Sequence, residues 1–340
     1  MQGNGPFKLS VLDQSPICSG RTPADAIEET VRLAEATEQL GYHRYWLAEH
    51  HNSAGLACTS PEVLISRIAS VTSSMRVGSG GVMLSHYSPL KVAETFRVLH
   101  TLFPGRIDLG VGRATGTDQK TTMALRYNAG GRGAEQFPHQ VNELLEFLQE
   151  PPKQDGQALT DIHAMPMGTD APPVWLLGSS DQSAALAAHF GCAFSFAHFI
   201  NNQGGPAVMR AYRENFQPTG PLAEPAGSIG VFAICAETEE EAKRLCASRD
   251  LWRLKLDYGR MEPFSTIEEA EAYPYTDADR DRIAINQQRQ AVGTPEQVKS
   301  QLMDLCEDYG VTELVILTIC HAYETRLRSY ELLSHAFELS

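Results

Sequence analysis

The chain contains no Cys-x-x-Cys pair, although it carries seven cysteines. Cys18, Cys58, Cys192, Cys235, Cys246, Cys306 and Cys320 are scattered and odd in number, which argues against a disulfide framework or a zinc ribbon. They are expected to be reduced and mostly buried. No His-Glu-x-x-His occurs among the eleven histidines, and the adjacent His50-His51 point opposite ways in an extended chain, so no metal site is expected. Positive charge is also scarce. Lys and Arg number 28 against 42 Asp and Glu, a formal charge of −14 that disfavours broad contact with nucleic acid or an anionic membrane. The longest apolar runs, such as Glu313–Cys320, fall far short of a membrane span. Met1–Lys8 lacks the basic and apolar regions of a secretory leader, so the cytoplasm is the expected compartment. A Gly-Lys-Ser/Thr phosphate loop is missing, and Gly110-x-Gly112 has no third glycine before a helix, which leaves the dinucleotide fingerprint incomplete.

What is present suits a globular enzyme: 340 residues, 42% hydrophobic and 21% charged. Strand-like runs recur at Leu9–Asp13, Arg44–Ala48, Arg76–Leu84, Ile107–Val111, Val174–Leu177, Ala193–Ala197, Ile229–Cys235 and Glu313–Cys320. Helical patterns separate them, opened by signals such as Thr22-Pro23 and Thr294-Pro295 and stopped by residues such as Gly41. Eight strands and eight helices, evenly spread with no linker, predict right-handed crossovers and one (β/α)8 TIM barrel over 1–340. A doubly wound sheet is the competing architecture. The excess length falls at 151–173, where a short hairpin is expected, and at 257–290, a charged stretch with tyrosines and prolines that is a candidate lid.

On a barrel the chemistry collects at the C-terminal ends of the strands. Glu49-His50-His51 ends the second strand, Gly80-Gly81 lies late in the third, Arg113 follows the fourth and His198 follows the sixth. Gly178-Ser179-Ser180-Asp181-Gln182-Ser183 leads from the fifth strand into a helix N-terminus, where free N–H groups favour an anion. Ser180 and Ser183 supply hydroxyls and Arg113 a planar cation, a set that suits one phosphomonoester. Helix capping alone is the bland alternative for Ser180 and Asp181.

With these residues assembled, the chain resembles the bacterial luciferase-like, flavin-dependent monooxygenases, in their non-luminescent single-gene form. The resemblance rests on Trp46–His51, Val77–Leu84, Pro104–Arg113, Leu177–Ser180, Phe194–Phe199 and Val292–Glu296, and runs over nearly the whole chain. It implies FMN at the barrel mouth, reduced by a separate NAD(P)H:flavin reductase, with oxygen activation sheltered from water. It implies catalytic roles for His50, by position, and for Glu49 beside it. Gly80-Gly81 falls where the family often has a non-proline cis peptide supporting the flavin ring. Arg113, Gly178, Ser179, Ser180 and Ser183 fall at the phosphate site, with His198 a further cofactor-side candidate. Gly112 stands where luciferase has a cysteine. Phe196 and His198 are expected in the walls of a pocket for a small organic substrate. A homodimer through the helices beside strands two and three is also implied. Two alternatives share the barrel: a deazaflavin-dependent hydride-transfer enzyme, and a non-catalytic flavin-binding protein.

Overall fold

The computed structural model describes residues 7–126, 134–149, 162–168 and 170–339. Its strands are β1 (Lys8–Asp13), β2 (Arg44–Leu47), β3 (Arg76–Ser79), β4 (Val82–Met83), β5 (Ile107–Gly112), β6 (Val174–Gly178), β7 (Ala193–Ala197), β8 (Gly227–Cys235), β9 (Gln290–Gly293) and β10 (Glu313–Leu317). Every strand pairing is parallel, in the order β10-β1-β2-β3-β5-β6-β7-β8, and a β8–β10 pairing closes the ring. The expected barrel is therefore present. Its third strand is split into β3 and β4 by a cis peptide between Gly80 and Gly81. β9 is an additional strand alongside β8, within a stretch whose composition suggests a loop.

The helices are α1 (Pro23–Gln39), α2 (Pro61–Val71), α3 (Pro89–Leu102), α4 (Gln119–Leu125), α5 (Phe137–Leu148), α6 (Asp181–His189), α7 (Gly205–Glu214), α8 (Glu239–Asp257), α9 (Ile267–Glu271), α10 (Asp277–Gln287), α11 (Pro295–Tyr309) and α12 (Tyr323–Phe337). Thr22 and Thr294 cap α1 and α11 as their sequences predict, each in a reciprocal capping box, with Asp25 and Gln297. The insertion is more regular than expected, since α9 and α10 lie inside it, with capping boxes Thr266/Glu269 and Thr276/Asp279. The hairpin expected at 151–173 falls largely outside the described residues, and 162–168 and 170–173 contain no strand.

Strand alternation sorts the apolar side chains into two cores. Leu9, Val11, Tyr45, Val77, Leu109, Phe194 and Phe196 point out toward the helices. Leu12, Trp46, Trp175, Ala193, Phe232 and Val315 point into the barrel. Each fully buried side chain of this size contributes roughly 1.5–3 kcal/mol. All seven cysteines are buried and unpaired, and burial raises their thiols, Cys18 to about 11 and Cys192 to about 12.

Buried charge closes the lower barrel. Arg44 holds both oxygens of Glu313 and one of Asp108, and Arg76 takes the other Asp108 oxygen. Between β1 and the helices, Asp13 accepts from Arg326 (2.7 Å), the Tyr45 hydroxyl (2.5 Å) and the Ser15 amide (2.8 Å). Burial alone would raise the Asp13 carboxyl, but the Arg326 charge and these bonds outweigh it and hold the group below its ordinary value. Tyr45→Phe is expected to lower stability by about 1.5–3 kcal/mol in urea unfolding at neutral pH, the range for a hydrogen bond to a charged group. Because the folded-state value of Asp13 is depressed, that contribution is present above its unfolded value of about 3.9. It is lost as pH falls through the lower folded value.

Candidate active site

β2 delivers its titratable end by backbone pinning. The Ala48 amide donates to Asp13 O and the His50 amide to Cys58 O, which turns the chain sharply out of the strand. Glu49 and His51, two residues apart, share one side, and the Glu49 carboxylate is fully used. It accepts from the Met83 amide (2.8 Å), the Tyr87 hydroxyl (2.7 Å) and His51 Nε2 (2.6 Å), and the residue is only 1% exposed. Glu49 thus ties the β2 loop to β4 and the start of α3. The loop after β5 fastens the same corner: Thr117 donates to His51 O, His51 N donates to Gly116 O, and His86 bonds Thr115 O. Tyr87, Thr115 and Thr117 were not anticipated from sequence. Only their tertiary placement singles them out.

His50 turns the other way and is partly exposed, and its Nδ1 is buried with no hydrogen-bond partner among the described residues. Burial, reinforced by the neighbouring His51 ring, holds the imidazole down to about 4 against the opposing pull of the Ala48 carbonyl. The ring is therefore neutral near pH 7 and keeps a nitrogen free for a proton or a hydrogen bond.

Beside it lies a floor of bare backbone. A side chain at Gly81 would strike Gly110 O at 2.7 Å, and one at Gly80 would strike Leu12 and Trp46 at 2.7 and 2.9 Å. Over Gly112 the space is open, with Met83 Sδ nearest at 4.0 Å. Farther round, Arg113 donates to the Gln182 side-chain oxygen (2.5 Å) in the first turn of α6. Ser180 caps α6 without a side-chain bond to it, and its hydroxyl lies 3.4 Å from that of the buried Ser183. Gly178 admits no side chain, because one would lie 2.3 Å from Ser183 Oγ, and the Ser179 carbonyl is held by Asn201. The structure thus gathers Arg113, Gly178, Ser179, Ser180 and Ser183 around a helix start whose guanidinium partner is a neutral amide. A phosphate fits that donor set.

His198 is not brought to this group. Its Nδ1 bonds the Tyr309 hydroxyl of α11 (2.8 Å), and Phe196 is buried in the outer core beside the same tyrosine. Ala193 faces the barrel interior and Phe194 and Phe196 face outward, so the period-2 pattern of β7 already sends 198 outward. Neither side chain therefore faces the barrel interior. The insertion roofs one arc of the mouth. Met261 O accepts from Ala54 N, and Phe264 exchanges backbone bonds with Ile17 and Ser19, which anchors one end on the loops after β1 and β2. Gln288 O accepts from Asn202 and Arg289 donates to Ile200 O, which anchors the other end beyond β7. Phe264 is fully buried and stacked on Trp252 of α8, with ring centroids 4.6 Å apart. A separate cleft of about 670 Å³ opens at the opposite end of the barrel, near Lys8, Glu38 and His43, away from this chemistry.

A family model described as luciferase-like monooxygenase matches residues 7–313. The N-acetyl-S-alkylcysteine monooxygenase of Bacillus subtilis (strain 168) is 40% identical over 97% of this chain and 98% of its own length. The crystal structure of apo-MsnO8 superposes with a TM-score of 0.90 at 38% identity, covering 98% of this chain and 99% of that one. Two more distant barrels share the fold alone. One is the FMN-bound oxygenating constituent of 3,6-diketocamphane monooxygenase (TM-score 0.71, 20% identity, 97% of this chain and 97% of that one). The other is an F420-dependent secondary alcohol dehydrogenase (TM-score 0.67, 13% identity, 98% and 99%).

Proposed function

Because the chain belongs to the luciferase-like monooxygenase family, we propose that it is a flavin-dependent monooxygenase that uses reduced FMN and O2 on a small organic substrate. The observation that carries this reading is the shared barrel end: a neutral His50 with a free Nδ1, a glycine floor and the Arg113–Ser180–Ser183 anion cradle. Arg113, the two serine hydroxyls and the α6 amides would hold the phosphate, and the backbone at Gly80, Gly81 and Gly112 would lie against the flat ring. When bound, the reduced flavin supplies two electrons to O2, one oxygen atom passing to substrate and the other leaving as water.

The residues of the chain do the rest. His50 holds or moves a proton through Nδ1. Glu49 and His51 fix the loop that carries it. The 257–290 roof excludes water from the arc above β8 and β10. A separate NAD(P)H:flavin reductase would deliver the reduced cofactor. Val63 on α2 and Val98 and Leu102 on α3 are exposed apolar residues, which supports pairing of two copies through those helices.

The yield of hydrogen peroxide per O2 consumed, measured with FMN, NADH, an added flavin reductase and a panel of small organic substrates, tests the reading. A lower yield with the protein present than with the reductase alone is expected for at least one substrate. FMN binding with an unchanged peroxide yield across the panel would favour a non-catalytic flavin carrier. Binding of a deazaflavin in place of FMN would favour hydride transfer. Arg113→Ala is expected to weaken FMN about tenfold or more, by loss of a charge-assisted contact, in a fluorescence-quenching titration.

A further inference from the structure

Four arginines are buried among the described residues: Arg44, Arg97, Arg249 and Arg326. Three are well satisfied. Arg44 makes three bonds to two carboxylates, Arg326 bonds Asp13 and the Thr318 carbonyl, and Arg97 bonds the carbonyls of Phe147, Leu148 and Pro166. Arg249 differs. Its guanidinium makes one hydrogen bond with the described residues, Nη1 to Asp250 Oδ1 at a long 3.3 Å, and its side chain is 9% exposed. Asp250 is no dedicated partner. As the next residue on α8 it projects in a different direction, and its two oxygens take shorter bonds from Gln290 (3.0 Å) and Gln287 (2.7 Å).

Position gives this deficit a meaning. Arg249 shares a face of α8 with Cys246 and Trp252, and its guanidinium carbon lies 4.4 Å from the ring centre of Phe232. Phe232 belongs to the inward-facing set of β8, paired in register with Leu317 of β10, so the guanidinium hangs over the barrel interior at the catalytic end. The roof that ends in Phe264 stacks on Trp252, one turn along the same helix. Its unbonded nitrogens are not sealed atoms, so they keep access to open space, and a mostly buried cation with free donors turned to such space favours an anion there. A planar fork with parallel free N–H groups matches a carboxylate.

We propose that Arg249 is the anion anchor of the substrate site, taking the carboxylate of a small organic acid beneath the 257–290 roof. The inference rests on the monooxygenase reading for the identity of that ligand as substrate, and its test separates the two. The probes are straight-chain carboxylates from butanoate to octanoate and their amides, titrated into the full-length protein with tryptophan fluorescence as readout. Trp252 beside Arg249 reports on them. At least one carboxylate is expected to bind about tenfold or more tightly than its own amide, the range for a charge-assisted contact. Arg249→Gln is expected to abolish that preference and Arg249→Lys to retain part of it, with melting temperature and FMN binding kept in both. No carboxylate preferred over its amide, or a preference that survives Arg249→Gln, overturns the assignment. Should Arg249→Gln fail to fold, an undiminished preference in Arg249→Lys overturns it as well. Wild-type protein that prefers a carboxylate yet binds no FMN would instead count against the cofactor reading and leave the anion site standing.

Discussion

Replacing His50 with alanine is expected to lower coupled turnover by about 10²–10⁴-fold, the range for loss of a positioned proton-transfer group. FMN affinity should be unchanged, because the phosphate cradle at Arg113, Ser180 and Ser183 belongs to other strands. Burial and the adjacent His51 hold the His50 ring down to about 4, so at neutral pH it enters the reaction as a base or hydrogen-bond acceptor and not as a cation. Wild-type activity governed by His50 should then be flat through the neutral range and fall on the acid side as pH approaches about 4. The alanine variant should lack that acid limb. Electrons that no longer reach substrate should appear as hydrogen peroxide, which a peroxidase-coupled assay measures beside oxygen uptake.

Glu49→Ala should be the most damaging change at this corner for the fold, on the order of 4 kcal/mol in urea unfolding. It strands three donors at once, the Met83 amide, the Tyr87 hydroxyl and His51 Nε2, each worth about 1–3 kcal/mol when left unpaired. Activity should fall with it, since the loop bearing His50 loses its tie to β4 and α3. Glu49→Gln preserves the shape and two acceptor sites on one oxygen, so it should recover most of the stability and less of the activity. Equal losses of stability in the two variants would show that the carboxylate's hydrogen bonds are not what holds the corner. Because the carboxylate is fully engaged and 1% exposed, its geometry suits positioning of the loop and not the catalytic role expected of Glu49.

The barrel was legible because its strands carry a simple signal. Apolar runs ending in glycine or charge recur with helical patterns between them, and all eight were read close to their observed places, from Leu9–Asp13 to Glu313–Cys320. Gly80-Gly81 and the Gly178–Ser183 loop are legible for a local reason, since tight backbone approach admits only glycine and the serine-rich run marks a helix start. Proximity to a strand end suggests the site for His198 and Phe196, but the period-2 alternation of β7 sends both outward. The helices of the insertion were missed although Thr266-x-x-Glu269 and Thr276-x-x-Asp279 announce them. α10 is polar around most of its surface, so it lacks the apolar stripe that identifies a helix. Arg249 was not legible at all. It sits in a charge-rich helix, and only the closed barrel beneath shows that it is buried against Phe232.

The most direct test is anaerobic titration of the protein with reduced FMN and, separately, with a reduced deazaflavin, followed by rapid mixing with oxygen. Reduced FMN is expected to bind, to reoxidise more slowly on the protein than in buffer, and to reoxidise faster in His50→Ala with release of hydrogen peroxide. Binding of the deazaflavin alone, or reoxidation of FMN at the free-solution rate in both proteins, would contradict the monooxygenase reading.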